Sequence, residues 1–137
     1  MKTAEELQNA AIVRRYLELY NTGQVEQAVE ETMAEALEWE WAATPLYPGA
    51  SGQTRDGFLQ GLIRGLDVER RGLSTRSLVV DGDLVVHRGD CTGSIGNLRF
   101  DAQLFQFYTL RDGTIARIEE VAYMLPGSEG PSKQPGR

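Results

Sequence analysis

The stretch Leu104–Tyr123, LFQFYTLRDGTIARIEEVAY, constrains the fold of this chain more than any other. Leu104, Phe105, Phe107, Tyr108 and Leu110 form a run rich in strand-favouring residues, and Ile115, Ile118 and Val121 mark a second. Arg111-Asp112-Gly113 lies between them, and an Asp-Gly pair accepts the positive φ that a tight hairpin turn needs. Side chains alternate along a strand, so the second arm divides into two sets. Ile115, Arg117, Glu119, Val121 and Tyr123 share one face, and Ala116, Ile118, Glu120 and Ala122 share the other. The second face is apolar except for Glu120. A single carboxylate among apolar neighbours marks either a dry functional position or a frayed strand end.

The rest of the chain supplies the layer against which such a hairpin packs. Thr3 and Glu6 form a T-x-x-E capping box at the start of a helix that runs to about Asn21, with Gly23 as its stop. Asn9, Ile12, Val13, Tyr16, Leu17 and Tyr20 fall on one stripe of it. Tyr16 is therefore either a core tyrosine or a phenol donating into a pocket. A second helix is expected over about Val25–Glu35. Leu37, Trp39 and Trp41 then alternate with Glu38 and Glu40 as a half-buried strand whose indoles are either plain core or the walls of a ligand site.

Thr44–Gln53 reads as a loop, and its Leu46 and Tyr47 are apolar enough to act as a lid. A third helix over about Thr54–Leu66 places Phe58, Leu62 and Leu66 on one side. Gly57, Gly61 and Gly65 weaken this helix and permit close approach to a neighbour. Strands follow over about Gly72–Val80, Leu84–Thr92 and Leu98–Leu110, joined by turns at Asp81-Gly82-Asp83 and Gly93–Asn97. Helices followed by successive antiparallel strands give an α+β domain. A curved sheet around the three helices leaves an apolar pocket, lined by Tyr16, the tryptophan strand and the Glu120 face. The domain is expected over residues 1–125, and the Pro-, Gly- and Ser-rich residues 126–137 are expected to be a disordered tail.

Bulk properties narrow the partners. With 137 residues the chain holds one domain with a real core. Its net charge is −6 and no basic stripe is present, which argues against nucleic acid or an anionic membrane surface. Cys91 is the single cysteine and His87 the single histidine, which excludes an internal disulfide, a zinc-thiolate cluster and a multi-histidine metal site. No apolar run approaches the ~20 residues of a membrane span. Glu5 and Glu6 stand where a signal peptide would be apolar. A cytoplasmic protein without metal or organic cofactor is expected.

Leu84–Thr92, LVVHRGDCT, holds the other polar candidates. Arg88 and Asp90 project from one face of this strand, while His87, Gly89 and Cys91 project from the other. If the first set faces inward, Arg88, Asp90 and Glu120 can converge in one cavity. If the second does, His87 becomes the titratable group; the bland alternative is that Arg88 and Asp90 form an exposed cross-strand ion pair. On the next strand Phe105 and Phe107 alternate away from Leu104, Gln106, Tyr108 and Leu110. With the latter set in the core, the phenylalanines lie on the outer sheet face and mark a homodimer contact.

The order of elements, with RRYLELYNTGQVEQAV, VVDGDLVV and LRDGTIARIEEV, resembles the SnoaL-like superfamily over roughly Ala11–Tyr123. The resemblance implies the cone-shaped fold of nuclear transport factor 2 and ketosteroid isomerase. Tyr16 is similar to the isomerase's oxyanion tyrosine, whereas that family's general-base aspartate falls near Glu40 or Trp41 and its second oxyanion acid near Gln106. Glu120 resembles the last-strand acid of polyketide cyclases. Arg88, Asp90 and Glu120 resemble the acid–arginine triad of limonene epoxide hydrolase.

The resemblance therefore implies a small-molecule enzyme with acid–base chemistry on a small lipophilic substrate. One mechanism makes Glu120 a base on a polyketide-like or terpenoid ketone, with Tyr16 or His87 stabilising the enolate oxygen. A second opens an epoxide with Arg88, Asp90 and Glu120. A third reading is a ligand-binding or dimerisation module without turnover. The expected pocket lining is Trp39, Trp41, Leu46, Tyr47, Phe58, Leu62, Gln106, Tyr108 and Ile118.

Overall fold

The computed structural model describes residues 2–45, 48–64, 68–95 and 98–125. Among them are three helices, α1 (Ala4–Asn21), α2 (Val25–Thr32) and α3 (Arg55–Arg64). The strands are β1 (Met33–Trp41), β2 (Ala50–Gly52), β3 (Val68–Asp81), β4 (Leu84–Ile95), β5 (Leu98–Arg111) and β6 (Thr114–Met124). They form one curved sheet in the order β2-β1-β6-β5-β4-β3. Every neighbouring pair is antiparallel except β1 and β6, which run parallel. This is the expected α+β architecture. Leu46, Tyr47, Gly65 and Leu66 lie outside the described residues, as does the tail from Pro126. No described helix is long and apolar enough to cross a membrane.

The hairpin at Asp112-Gly113 forms as its sequence dictates. Arg111 pairs with Thr114, and both turn residues have positive φ, 52° and 79°. That combination is the turn whose twist matches the flanking strands. Beyond the turn, strict alternation fails. Leu110 pairs with Ile115 but Thr109 pairs with Arg117, so Ala116 is an extra residue. This bulge lets Ile115 and Ile118 both enter the core, where alternation alone assigned them to opposite faces.

α1 is held to the β3–β4 turn at one end and to β3 at the other. Thr3 Oγ1 accepts from the Glu6 backbone N–H at 3.0 Å, and Glu6 Oε1 accepts from the Thr3 N–H at 2.9 Å. The second Glu6 oxygen accepts from the Gly82 N–H at 2.8 Å, and the Asn9 amide donates to the Gly82 carbonyl. Backbone donors from Thr3 and Gly82 hold the Glu6 carboxyl below its usual range. The Asn21 amide donates to the Leu73 carbonyl. These bonds turn the Tyr16 stripe of α1 toward the sheet.

Two local expectations are corrected. α2 ends at Thr32, not near Glu35, because Met33 is extended and pairs with Ile115 of β6. Tertiary pairing outweighs the helical propensity of Met33-Ala34-Glu35. Within the expected loop 44–53, residues Ala50–Gly52 form β2 against Trp39–Trp41. Glycine permits this approach, since a Cβ at Gly52 would stand 2.6 Å from the Trp39 indole. On the outer face Arg117 bonds Glu38 at 2.7 Å and Glu119 at 3.0 Å, joining β6 to β1.

α3 closes the β1 end of the sheet. Trp39, Trp41 and Phe58 form one aromatic cluster with ring centroids 4.9–5.8 Å apart. Trp39 also donates to the Thr54 carbonyl at 3.1 Å. The sequence expectation that the α3 glycines allow close approach is met at Gly61, where a Cβ would stand 2.7 Å from Trp41 Cη2. Overpacking there costs about 1–3 kcal/mol, against a helix-propensity gain of about 1 kcal/mol for Ala over Gly. Gly61→Ala should therefore lower stability by roughly 1 kcal/mol net, seen as a lower urea midpoint. A raised midpoint would show that the Trp41 ring yields freely.

Candidate active site

The inner sheet face carries one polar row. Strand register sets Trp41 beside Glu120, Glu120 beside Gln106 and Gln106 beside His87. Their side chains are nearly inaccessible, at 5 % for Glu120, 4 % for Gln106 and 0 % for His87. Gln106 Nε2 donates to Glu120 Oε1 at 2.8 Å. Gln106 Oε1 lies 2.8 Å from His87 Nδ1 and accepts from the Tyr108 hydroxyl at 2.8 Å. His87 Nε2 lies 2.9 Å from the Thr75 hydroxyl of β3.

With Glu120 ionised and His87 neutral, donor and acceptor chemistry sets the directions in this chain. Glu120 as a carboxylate only accepts, so it takes the Gln106 amide N–H. The Gln106 oxygen then accepts twice, which requires a proton on His87 Nδ1. Neutral imidazole leaves Nε2 as an acceptor for the Thr75 hydroxyl. Among the described residues no buried side-chain polar atom lacks a partner. Burial lowers the His87 pKa below its ordinary 6.5, against smaller opposing effects of the Gln106 bond and the Glu120 charge.

Gly89 makes room for the chain. Its own β4 face is the inner one, and a Cβ there would run into the Ser74 carbonyl oxygen and stand 2.8 Å from His87 Cε1. β3 is irregular on either side of this point, with register shifts between Arg71 and Ser74 and between Thr75 and Ser77. These shifts bring Thr75 opposite Gly89 and its hydroxyl onto the imidazole.

Aromatic groups surround the row. Tyr16 is buried on α1, with its ring 6.0 Å from Tyr108 in an edge-on contact and 6.1 Å from Tyr20. Ile118 pairs with Tyr108 and is buried. Trp41 is the register neighbour of Glu120 and belongs to the cluster with Trp39 and Phe58. Leu62 packs half-buried against the same core.

The two β4 sets separate cleanly. Val85, His87, Gly89 and Cys91 face inward, so Arg88 and Asp90 face outward. The Arg88 guanidinium stands 5.7 Å from the Phe105 ring centroid, and Asp90 pairs with Arg76 of β3. Arg88 and Asp90 are therefore not brought to Glu120, and the expected epoxide-opening trio is not assembled. His87 does not face open space either, because Gln106 and Thr75 engage both ring nitrogens. Sequence reading singled out neither Thr75 nor Gly89. Thr75 enters through the register shifts of β3, which strand alternation does not encode. Among the described residues no group of three or more His, Cys, Asp or Glu could hold a metal ion.

The chain belongs to the SnoaL-like domain family, whose pattern it matches over residues 13–118. Solved structures share the nuclear transport factor 2-like fold. An NTF2-like protein from Burkholderia xenovorans LB400 superposes with a TM-score of 0.72 at 20 % identity, covering 92 % of this chain and 95 % of that one. A LEH-like epoxide hydrolase from M. tuberculosis gives 0.70 at 16 % identity, covering 87 % and 85 %. A protein assigned to the SnoaL-like polyketide cyclases, from Jannaschia Sp. CCS1, gives 0.69 at 19 % identity, covering 89 % and 90 %. Among curated proteins none matches the chain. At these identities the likeness is one of fold, so the reaction has to be argued from the site.

Two outcomes follow from this geometry. Below pH 6.5 the unfolded chain takes up a proton that folded His87 refuses. The stability His87 contributes is thus complete above 6.5 and is lost as pH falls toward its folded pKa. Urea midpoints should fall over that window, and a His87→Gln variant should show a flatter profile. Gly89→Ala should cost about 1–3 kcal/mol or more through overpacking and should displace the imidazole resonance of the lone histidine. An unperturbed resonance would contradict the close approach.

Proposed function

We propose that this SnoaL-like protein is a cofactor-independent enzyme that uses Glu120 as a general base on a small lipophilic carbon acid, as a cyclase or isomerase in the cytoplasm. One observation carries the reading. A buried carboxylate sits in the inner sheet face with one oxygen held by the Gln106 amide, among Trp41, Ile118 and Ala122. An acceptor held in an apolar setting suits proton abstraction next to a carbonyl. Tyr16, on the helix above Tyr108, is the proposed donor to the enolate oxygen. Epoxide opening by Arg88, Asp90 and Glu120 has less support, because the first two lie on the opposite sheet face.

A non-catalytic binding module is the second reading. It draws on the packing of Trp39 and Trp41 against Phe58, Gly52 and Gly61, which makes those indoles structural. Turnover separates the two. In deuterated water the protein should exchange the acidic protons of a panel of aromatic and alicyclic diketones, read by mass spectrometry. Glu120→Gln should abolish that exchange while the melting temperature holds or rises, since a buried carboxylate is costly unless well partnered. Full exchange in the variant would remove Glu120 from the chemistry. Unfolding of the variant would favour the module.

Assembly is proposed to be a homodimer through the outer sheet face. Phe105 packs edge-on against Tyr123 at 5.7 Å and beneath Arg88, and Tyr123 is 60 % exposed. Aromatic groups with an arginine at their edge are the composition of a protein contact surface. Light scattering at micromolar concentration should give twice the chain mass, and Phe105→Glu should halve it. A monomeric wild-type mass would refute the interface.

A further inference from the structure

Glu120 is bonded to Gln106, and the bonds through that amide reach across three further strands. The bonds run from Glu120 on β6 through Gln106 on β5 and His87 on β4 to Thr75 on β3. Each partner is the immediate cross-strand neighbour except Thr75, which reaches His87 through the irregular register of β3. Tyr108 adds a second donor to the same Gln106 oxygen.

We infer that Gln106, His87 and Thr75 are positioning residues for Glu120, acting as a relay that locks the Gln106 amide with its N–H toward the carboxylate. This inference rests on the acid–base reading of Glu120. An amide can turn over and exchange its oxygen and nitrogen, and the turned amide would present a carbonyl to a carboxylate. Two donors on Oε1, from His87 Nδ1 and Tyr108, oppose that turn. His87 performs its part only as the Nδ1–H tautomer. In that tautomer the Thr75 hydroxyl is the donor that satisfies Nε2. Thr75 is exposed on the edge strand, whereas the other three are buried, so it can be altered without opening the core. The titratable group that acts on the imidazole is Glu120 on β6, and Tyr108 on β5 shares the Gln106 oxygen with the ring.

The chain has one histidine, so nitrogen-15 spectra of histidine-labelled protein report this tautomer without assignment. Wild-type protein at neutral pH should show a neutral ring protonated at Nδ1 alone. Gln106→Leu should give mixed tautomers. Glu120→Gln should lower the imidazole titration midpoint, because a charge that favours the cation is gone. Thr75→Val should shift the Nε2 resonance and lower kcat for deuterium exchange roughly fivefold at unchanged KM, the rate equivalent of about one hydrogen bond. Thr75→Ser should restore both.

A ring protonated at Nε2 in the wild type would overturn the relay. So would a Thr75→Val protein with wild-type spectrum and wild-type kcat, even if Gln106→Leu fails to fold. Full exchange by Glu120→Gln alongside the expected spectra would instead overturn the base, and with it the catalytic purpose of an intact relay. An inactive Glu120→Gln with an Nε2-protonated ring would overturn the relay alone.

Discussion

The Gln106 amide is the interaction on which the inner face depends. Its nitrogen donates to Glu120 and its oxygen accepts from His87 and Tyr108. Glu120 and His87 stand on strands separated by β5, so a group between them that offers a donor to one and an acceptor to the other lets both sit in that dry layer. Leaving either unpartnered would cost about 1–3 kcal/mol, a large part of the marginal stability of a domain this size. The amide resolves this in one residue, and it does so in one orientation. The same bonds that permit burial therefore also fix where the Glu120 carboxylate points.

The scaffold supplies the register that makes this possible. β5 and β6 are joined by a tight turn, and the extra residue Ala116 shifts their register so that Gln106 opposes Glu120. β1 then adds to β6 in parallel and brings Trp41 beside Glu120, a pairing between the early and late parts of the chain. Glycines at 52 and 61 let β2 and α3 close over the two indoles. Gly89 does the same for β3 over His87. Charges that have no place in the interior are turned out: Arg88 onto Phe105, Asp90 onto Arg76, and Arg117 onto Glu38 and Glu119. These exposed pairs contribute little stability singly, but they keep the polar and apolar faces distinct.

Much of this was legible in the residues. The Asp-Gly hairpin, the capping box, the Tyr16 stripe and the outward phenylalanines follow from turn chemistry and period, and Glu120 is inward by its alternation with Ile118. The facing of β4 did not, because each of its alternating sets contains both polar and apolar residues, and a strand slipped by one residue would exchange them. Packing decides it: Val85, His87 and Cys91 fit the core, and Arg88 does not. The end of α2, the short β2 and the Ala116 bulge were hidden for a related reason. Each is set by pairing with another strand, which local propensity does not encode. Thr75 was hidden most deeply, since only two register shifts in an edge strand bring a surface threonine to a buried ring.

The proposed proton abstraction by Glu120 from a small lipophilic carbon acid requires that ligand to reach the inner sheet face. A crystal structure with a planar bicyclic phenol, a stable mimic of a dienolate, tests it most directly. The phenol ring should lie against the Glu120 carboxylate, with its oxygen within hydrogen-bond reach of the Tyr16 hydroxyl and the Gln106 amide still facing Glu120. A ligand seated on the outer sheet face, or one that enters the domain without approaching Glu120, would contradict it.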